Sequence, residues 1–265
     1  MKRFNLKYLV ALIVSVSLLG ACSDDDSNSS SGEGNAKMSL RMVDNPGDYK
    51  EVNVDIERIV IKYTGEENEV EINNVNAGVY DLLELTGGAS VMLTEEEEIP
   101  AGIISQIRLI LGEDNTIVVD GETSNLDTPS AQQSGLKLQL NQTLESDVTY
   151  EYLLDFDVEK SIVAKGNGGY SLKPVIRIEA LAETGFISGT ILPITTPTLI
   201  TATNGENEIS TYSNLNGNFE LSGVPAGTYT ITLEPEVGLG FEIETITDVE
   251  VENGETTTLG EINFE

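Results

Sequence analysis

The chain is 265 residues long and carries a formal charge of −31, from 45 acidic and 14 basic residues, with one cysteine, no histidine and no tryptophan. A lone thiol closes no intramolecular disulfide, and without histidine no Cys-His pair, Ser-His-Asp triad or HExxH metal helix can be assembled; most catalytic equipment is excluded, no enzyme activity is expected and no cofactor is called for. The acidic surface repels a phosphate backbone, so nucleic acid is not an expected partner, while 39% hydrophobic residues suffice for real cores.

Residues 1–21 open with Lys2, Arg3 and Lys7 and then run apolar from Tyr8 to Leu19, the layout of a secretory signal and short for a membrane span. The run ends in LLGAC, with Leu19 three places before Cys22 and the small residues Gly20 and Ala21 between. This resembles the bacterial lipobox. The resemblance implies cleavage before Cys22, a diacylglycerol on its sulfur and a membrane partner reached through that anchor, which several acyl chains make effectively stable at about 0.8 kcal/mol per buried methylene. Ser23, Asp24, Asp25 and Asp26 follow and look like the short acidic export signal of Bacteroidota lipoproteins, implying the outer membrane and its extracellular face. Losing Lys2, Arg3 and Lys7 with the signal takes the formal charge from −31 to −34. Residues 22–36, polar and rich in Ser, Gly and Asp, read as the lipidated cysteine and a tether reaching on the order of 20 Å.

From Lys37 onward, short β-branched runs are separated by Gly, Asn, Asp and Pro, with no sustained 3.6-residue period. The fold class is all-β, as two tandem β-sandwiches of Ig-like or transthyretin-like type. MSLRMVD (38–44) and VNVDI (52–56) alternate cleanly. After Glu57-Arg58 the apolar phase slips by one residue, to Ile59, Ile61 and Tyr63, which predicts a bulge or a change of sheet near Arg58. TGEEN (64–68) reads as a turn and Glu95 to Glu98 as a solvated loop. Strands are predicted at 78–85, 102–111, 115–120, 135–140, 147–158 and 169–181, with Gly166 to Gly169 supplying a tight turn.

The blocks MSLRMVDNPGDYKEVNVDIERIVIKY, GVYDLLELTGG, IPAGIISQIRLILGEDNTIVVDG, TPSAQQSGLKLQLNQTLESDVTYEYLLDFDVEKSIV and GNGGYSLKPVIRI resemble the bacterial lipoprotein family called domain of unknown function 4382. The resemblance implies a fold and a location for a first domain over 37–182, and no chemistry. A second domain is expected over 185–265, with strands in FISGTI, TLITAT, GNFELSGV, GTYTITLEP and TTTLGEINF. Here ISTYSNLNGNFELSGVPAGTYTITLEP resembles the carboxypeptidase regulatory-like, transthyretin-type sandwich, an accessory module without peptidase residues. The matching positions are Gly217, Phe219, Leu221, Gly223, Pro225, Ala226, Gly227 and Tyr229, with Asn214 where that family often has Asp. Pro-Ala-Gly stands before an alternating strand at both 100–102 and 225–227; chance recurrence and kinship both account for it.

Carboxylates are the remaining chemistry. Asp155 and Asp157 share one face of a strand and suit Ca²⁺, a glycosidase pair, or ion pairs with Lys160 and Lys165. Gly112 to Asn115 suits Ca²⁺ or a hairpin turn. The polar segment holding Ser130, Gln132, Gln133 and Ser134 is a candidate ligand loop. Tyr49, Tyr80, Tyr150, Tyr152 and Tyr170 suit either a sugar platform or core packing. The expected role is a surface-displayed module for an extracellular glycan or protein, or an accessory subunit of an outer-membrane complex or pilus-like structure.

Overall fold

The computed structural model describes residues 31–45, 47, 49–66, 69–128, 134–194 and 196–265, with side chains from residue 34. Strands dominate it: β1 (Ser31–Asn45), β2 (Glu51–Tyr63), β3 (Glu69–Glu71), β4 (Gly78–Asp81), β5 (Val91–Leu111), β6 (Thr116–Val119), β7 (Glu122–Asp127), β8 (Leu136–Leu144), β9 (Thr149–Asp157), β10 (Ile162–Ala164), β11 (Tyr170–Leu172) and β12 (Ile176–Ala180) build the first unit. The second unit contains β13 (Thr184–Leu192), β14 (Thr198–Thr203), β15 (Glu208–Tyr212), β16 (Asn218–Pro225), β17 (Gly227–Pro235), β18 (Glu244–Val251) and β19 (Thr256–Asn263). A one-turn helix α1 (Val158–Ser161) joins β9 to β10. No helix among the described residues is long and apolar enough to cross a membrane.

The all-β expectation holds, and one strand organises the first sheet. The 21 residues of β5 pair antiparallel with β1 along their first half and with β2 and β8 along their second. The change of partner falls at Pro100-Ala101-Gly102, where proline has no N–H to give a ladder and Gly102 takes φ +149°. The Tyr63 hydroxyl locks this corner by donating to the Pro100 carbonyl at 2.6 Å. β1 then carries the sheet on to β9, with which it pairs parallel, and β9 to β12. The alternating residues Met38, Leu40 and Met42 of β1, Val52, Val54 and Ile56 of β2, and Tyr152, Leu154 and Phe156 of β9 meet in one core.

The slip near Arg58 is a bulge. Ile56 pairs with Leu111 and Arg58 with the adjacent Ile110, so one extra residue is absorbed, and Glu57 and Arg58 turn outward. Both apolar sets of β2 therefore stay inside.

Three expectations are corrected. The tether expected through residue 36 ends earlier, because β1 starts at Ser31: Asn35 lies opposite Pro100, and Ala36 is fully buried opposite Ile99. Residues 78–85 are only half strand, since the Asp81 side chain accepts the Leu83 N–H and turns Leu82–Glu84 into a 3-10 helix. Glu95 to Glu98 form no solvated loop but lie within β5. The ladder to β1 jumps from Met38–Glu97 to Leu40–Thr94; Glu96 takes φ +44° at this bulge, its N–H donating to the Ser39 hydroxyl. The irregularity turns Glu97 inward, where it is 7% exposed and accepts from the Asn73 N–H (3.3 Å) and the Asn74 side chain (2.6 Å).

In the second unit, β16-β13-β19 and β15-β14-β17-β18 form two sheets around Ile187, Ile191, Phe219, Leu221, Tyr229 and Ile231. The chain crosses from one sheet to the other at Pro225-Ala226-Gly227, with Gly227 at φ +156° and the Tyr229 hydroxyl donating to the Pro225 carbonyl at 2.9 Å. The repeated tripeptide thus does similar work in both units: it marks where the chain changes partners, within one strand in the first unit and between two strands in the second, and a tyrosine hydroxyl holds the corner. β15 and β18 were not anticipated as separate strands. Both are edge strands, and β18 buries only Val249 and Val251.

Replacing Glu97 by Ala leaves the Asn73 and Asn74 donors facing an apolar gap. The expected loss is about 1–3 kcal/mol of unfolding free energy in urea, against no more than about 0.5 kcal/mol for the exposed neighbour in Glu98→Ala.

Candidate functional site

The functional candidate that the fold assembles is the junction between the two units, built mainly by β1, β9 and β12 on one side and β15 and β16 on the other. Arg177 on β12 lies opposite Asp155 on β9. Its Nη2 and Nε donate to Asp155 Oδ2 at 2.7 and 3.3 Å, while Nη1 reaches across to the Gly223 carbonyl at 2.6 Å and lies 3.4 Å from Glu179 Oε1. Only a planar fork with several donors serves partners in both units at once. Burial raises the Asp155 carboxyl above its ordinary range, and the Arg177 charge pulls it back. Gly223 takes φ +66°, a conformation that favours glycine, and a Cβ there would sit 2.5 Å from Leu153 Cδ2, so that buried side chain would have to shift.

The loop Thr86-Gly87-Gly88 makes the second contact. The Gly87 N–H donates to the Thr211 hydroxyl at 2.7 Å, and a Cβ on Gly87 or Gly88 would lie 3.0 Å from the Tyr212 carbonyl or 3.1 Å from Glu220 Cβ. Two glycines therefore let the first unit approach the β15 and β16 backbones closely. At the rim, Lys160 lies 3.9 Å from Glu208.

Between these contacts lies a cavity of about 10 Å³, room for one water molecule, lined by Asp44, Asp155, Leu85, Ser210 and Thr211 among others. Asp44, near the end of β1, is 3% exposed, and neither carboxyl oxygen has a well-formed hydrogen bond; the neighbouring Val158 N–H offsets only part of the cost of burial. Burial, then the Asp155 charge, pushes this carboxyl up to about 10, so at neutral pH Asp44 is a neutral acid.

The residues singled out from sequence fall differently. Cys22, Ser23, Asp24, Asp25 and Asp26 lie outside the described residues, as do Ser130, Gln132 and Gln133; Ser134 is described and exposed. Asp155 and Asp157 do not form an acid pair facing a substrate. Asp155 is held by Arg177, and Asp157 caps α1, accepting from the Lys160 N–H and pairing with its ammonium, both at 2.9 Å. Lys165 pairs instead with Asp127. Gly112 to Asn115 is a tied turn: Asp114 N–H donates to Asp55 Oδ2, the Asn115 side chain donates to the Gly112 carbonyl, and its oxygen accepts from Asp55 N–H. Among the described residues, no three His, Cys, Asp or Glu side chains converge to hold a metal ion. The five tyrosines all pack on the first core, Tyr150 stacked on Tyr152 with centroids 6.4 Å apart, so the platform gives way to packing.

Sequence reasoning missed Asp44 and Arg177, and named Gly223 only as a position of the family pattern and not as a junction residue. One signal was present: no lysine or arginine follows Arg177, while glutamates recur through the second unit, so this last cation has many competing partners.

Two outcomes follow for this junction. Arg177→Met strands a buried carboxylate and is expected to cost about 3–5 kcal/mol, whereas adding Asp155→Leu recovers most of that loss, read by urea unfolding. Asp44 has its folded pKa raised, so its contribution to stability is present in full below about pH 4 and drains away as pH rises toward 10. Asp44→Asn is expected to remove a slope of up to about 1.4 kcal/mol per pH unit between pH 5 and 9, measured as the difference between the two unfolding curves.

Comparison with solved structures finds distant likenesses. The Bacillus anthracis TIE protein is 12% identical with a TM-score of 0.23, over 88% of this chain and 34% of its own, so the chain spans about a third of that protein. The minor pilin GBS52 of Streptococcus agalactiae is 10% identical with a TM-score of 0.24, over 86% of this chain and 95% of its own. The shaft pilin SpaA of Lactobacillus rhamnosus GG, in a mutant form, is 11% identical with a TM-score of 0.23, over 87% of this chain and 97% of its own. At such scores the likeness assigns no function. No curated protein matches the chain. Residues 35–174 match the family model described as Domain of unknown function (DUF4382), and since that is more than half of the sequence, the chain belongs to this family.

Proposed function

We propose that the protein is a non-enzymatic, lipid-anchored presenter: Cys22 carries the acyl chains, the segment Ser23 to Asp26 directs it to the outer face of a Bacteroidota-type outer membrane, and two β-sandwiches hold an extracellular ligand or protein. The second of these, over 185–265, is of the transthyretin type, and the first extends over 37–182. The observation that carries the reading is the Arg177 bridge. It takes the one carboxylate pair that had looked catalytic, Asp155 with Asp157, out of chemistry and uses Asp155 to fasten the two units together. A joined pair of sandwiches offers a fixed scaffold from which loops are presented to a partner. The strongly acidic composition supports partners other than nucleic acid or an anionic surface.

Cys22→Ser is expected to move the protein from the membrane fraction to the soluble fraction, followed by immunoblot; retention in the membrane removes the anchor. Protease added to intact cells is expected to degrade the wild type, and protection until lysis assigns the periplasmic side instead. A stoichiometric β-barrel partner in a detergent pull-down would make the protein an accessory subunit of an outer-membrane complex.

A further inference from the structure

In a chain with three times as many acids as bases, every arginine has carboxylates to choose from. Arg58 pairs with Glu57 and Glu71, Arg108 with Glu69, and Arg177 with Asp155 and Glu179. Among the described residues Arg41 is the arginine without a carboxylate partner. Its Nη1 donates only to the Ser90 hydroxyl, at 3.3 Å, and its Nε is buried and unbonded. Beside it, in a recess lined by both residues, the hydroxyl of Tyr152 is also buried without a partner, on a side chain 1% exposed. Buried donors without acceptors are costly, and the recess they share has no room even for a water, so an acceptor for the guanidinium reaches it from the other, open side of Arg41.

There is room for one. Arg41 and Ser90 open onto a cleft of about 180 Å³ between the two units, distinct from the one-water cavity beside Asp44. One side is apolar, from Leu153, Leu181 and Phe186; Glu151 and Glu220 stand on the same cleft without reaching Arg41. A cavity of roughly 150 Å³ accommodates a benzene-sized body, so this cleft suits a small molecule and not a folded partner. Its charge pattern is specific: one guanidinium that calls for a carboxylate, two carboxylates that call for a cation, and an apolar wall. We propose that this cleft binds a free α-amino acid with an apolar side chain. Its carboxylate is held by Arg41, its ammonium by Glu151 and Glu220, and its side chain lies on Leu153, Leu181 and Phe186. Because Phe186 and Glu220 belong to the second unit and the rest to the first, the ligand also bridges the junction.

The site is independent of the anchor: loss of membrane attachment or surface display leaves it intact, and its failure leaves them intact. Calorimetric titration of the full-length protein with L-leucine up to 10 mM, about an order of magnitude above a millimolar Kd, tests it. Saturable binding is expected, weakened about tenfold or more for L-leucinamide and for N-acetyl-L-leucine, which lack the carboxylate and the ammonium respectively. Arg41→Gln should abolish it with the β-sheet circular dichroism unchanged, and Glu220→Gln should weaken L-leucine while leaving N-acetyl-L-leucine unaffected. Absent L-leucine binding, equal binding of the amide or the acetyl form, or native-like binding by folded Arg41→Gln overturns the proposal. Glycyl-L-leucine binding as tightly as L-leucine replaces it with recognition of a peptide C-terminus. Should Arg41→Gln fail to fold, the ligand series on the wild type and Glu220→Gln decide.

Discussion

A buried carboxylate needs a cation, and the arrangement of this protein hangs on how Asp155 gets one. Removing an ion from water costs several kcal/mol, and a buried pair offsets that only with good geometry and further hydrogen bonds. Arg177 supplies both, and it completes its own shell with a backbone carbonyl from the other unit. The pair is weak evidence of stability, since apolar residues of equal volume often serve as well. Its effect is on geometry: with two nitrogens held by Asp155, the guanidinium presents Nη1 to the Gly223 carbonyl of the second unit. The arginine that answers an electrostatic demand inside the first unit thereby also tethers the second.

The same economy of parts appears in the sheets. One long strand, β5, belongs to two sets of partners, and β16 and β17 divide the same task between two strands. In each case a proline interrupts the ladder, a glycine takes a conformation closed to other residues, and a tyrosine hydroxyl satisfies the proline carbonyl left at the bend. The bend lets apolar residues before and after it face one interior.

How much of this was legible in the sequence depended on the range of the interaction. Alternation is local, so the strands of both units and even the bulge beside Arg58 could be read directly, the latter from a one-residue change of phase. The acidic run at 95–98 misled because like charges in sequence normally share solvent; here the bulge at Glu96 turned one of them, Glu97, to the inside, where two asparagines from a distant loop receive it. The edge strands β15 and β18 were faint because half-exposed strands carry few apolar residues. The junction was illegible for a stronger reason. Arg177 and Gly223 are separated by 46 positions, and nothing in either neighbourhood announces the other. Even Asp155 with Asp157, correctly placed at the end of a strand, suggested chemistry because their partners, Arg177 and the turn of α1, are a property of the folded chain.

The absence of basic residues beyond Arg177 bears on digestion as well as on charge. A trypsin-like protease selects its cleavage point with a pocket that demands lysine or arginine next to the scissile bond. The whole second unit offers no such bond, folded or unfolded. The last one available follows Arg177 itself, whose guanidinium is already gripped from both sides of the junction. Resistance to that class of enzyme is therefore written into the composition of the unit and does not depend on how tightly it folds.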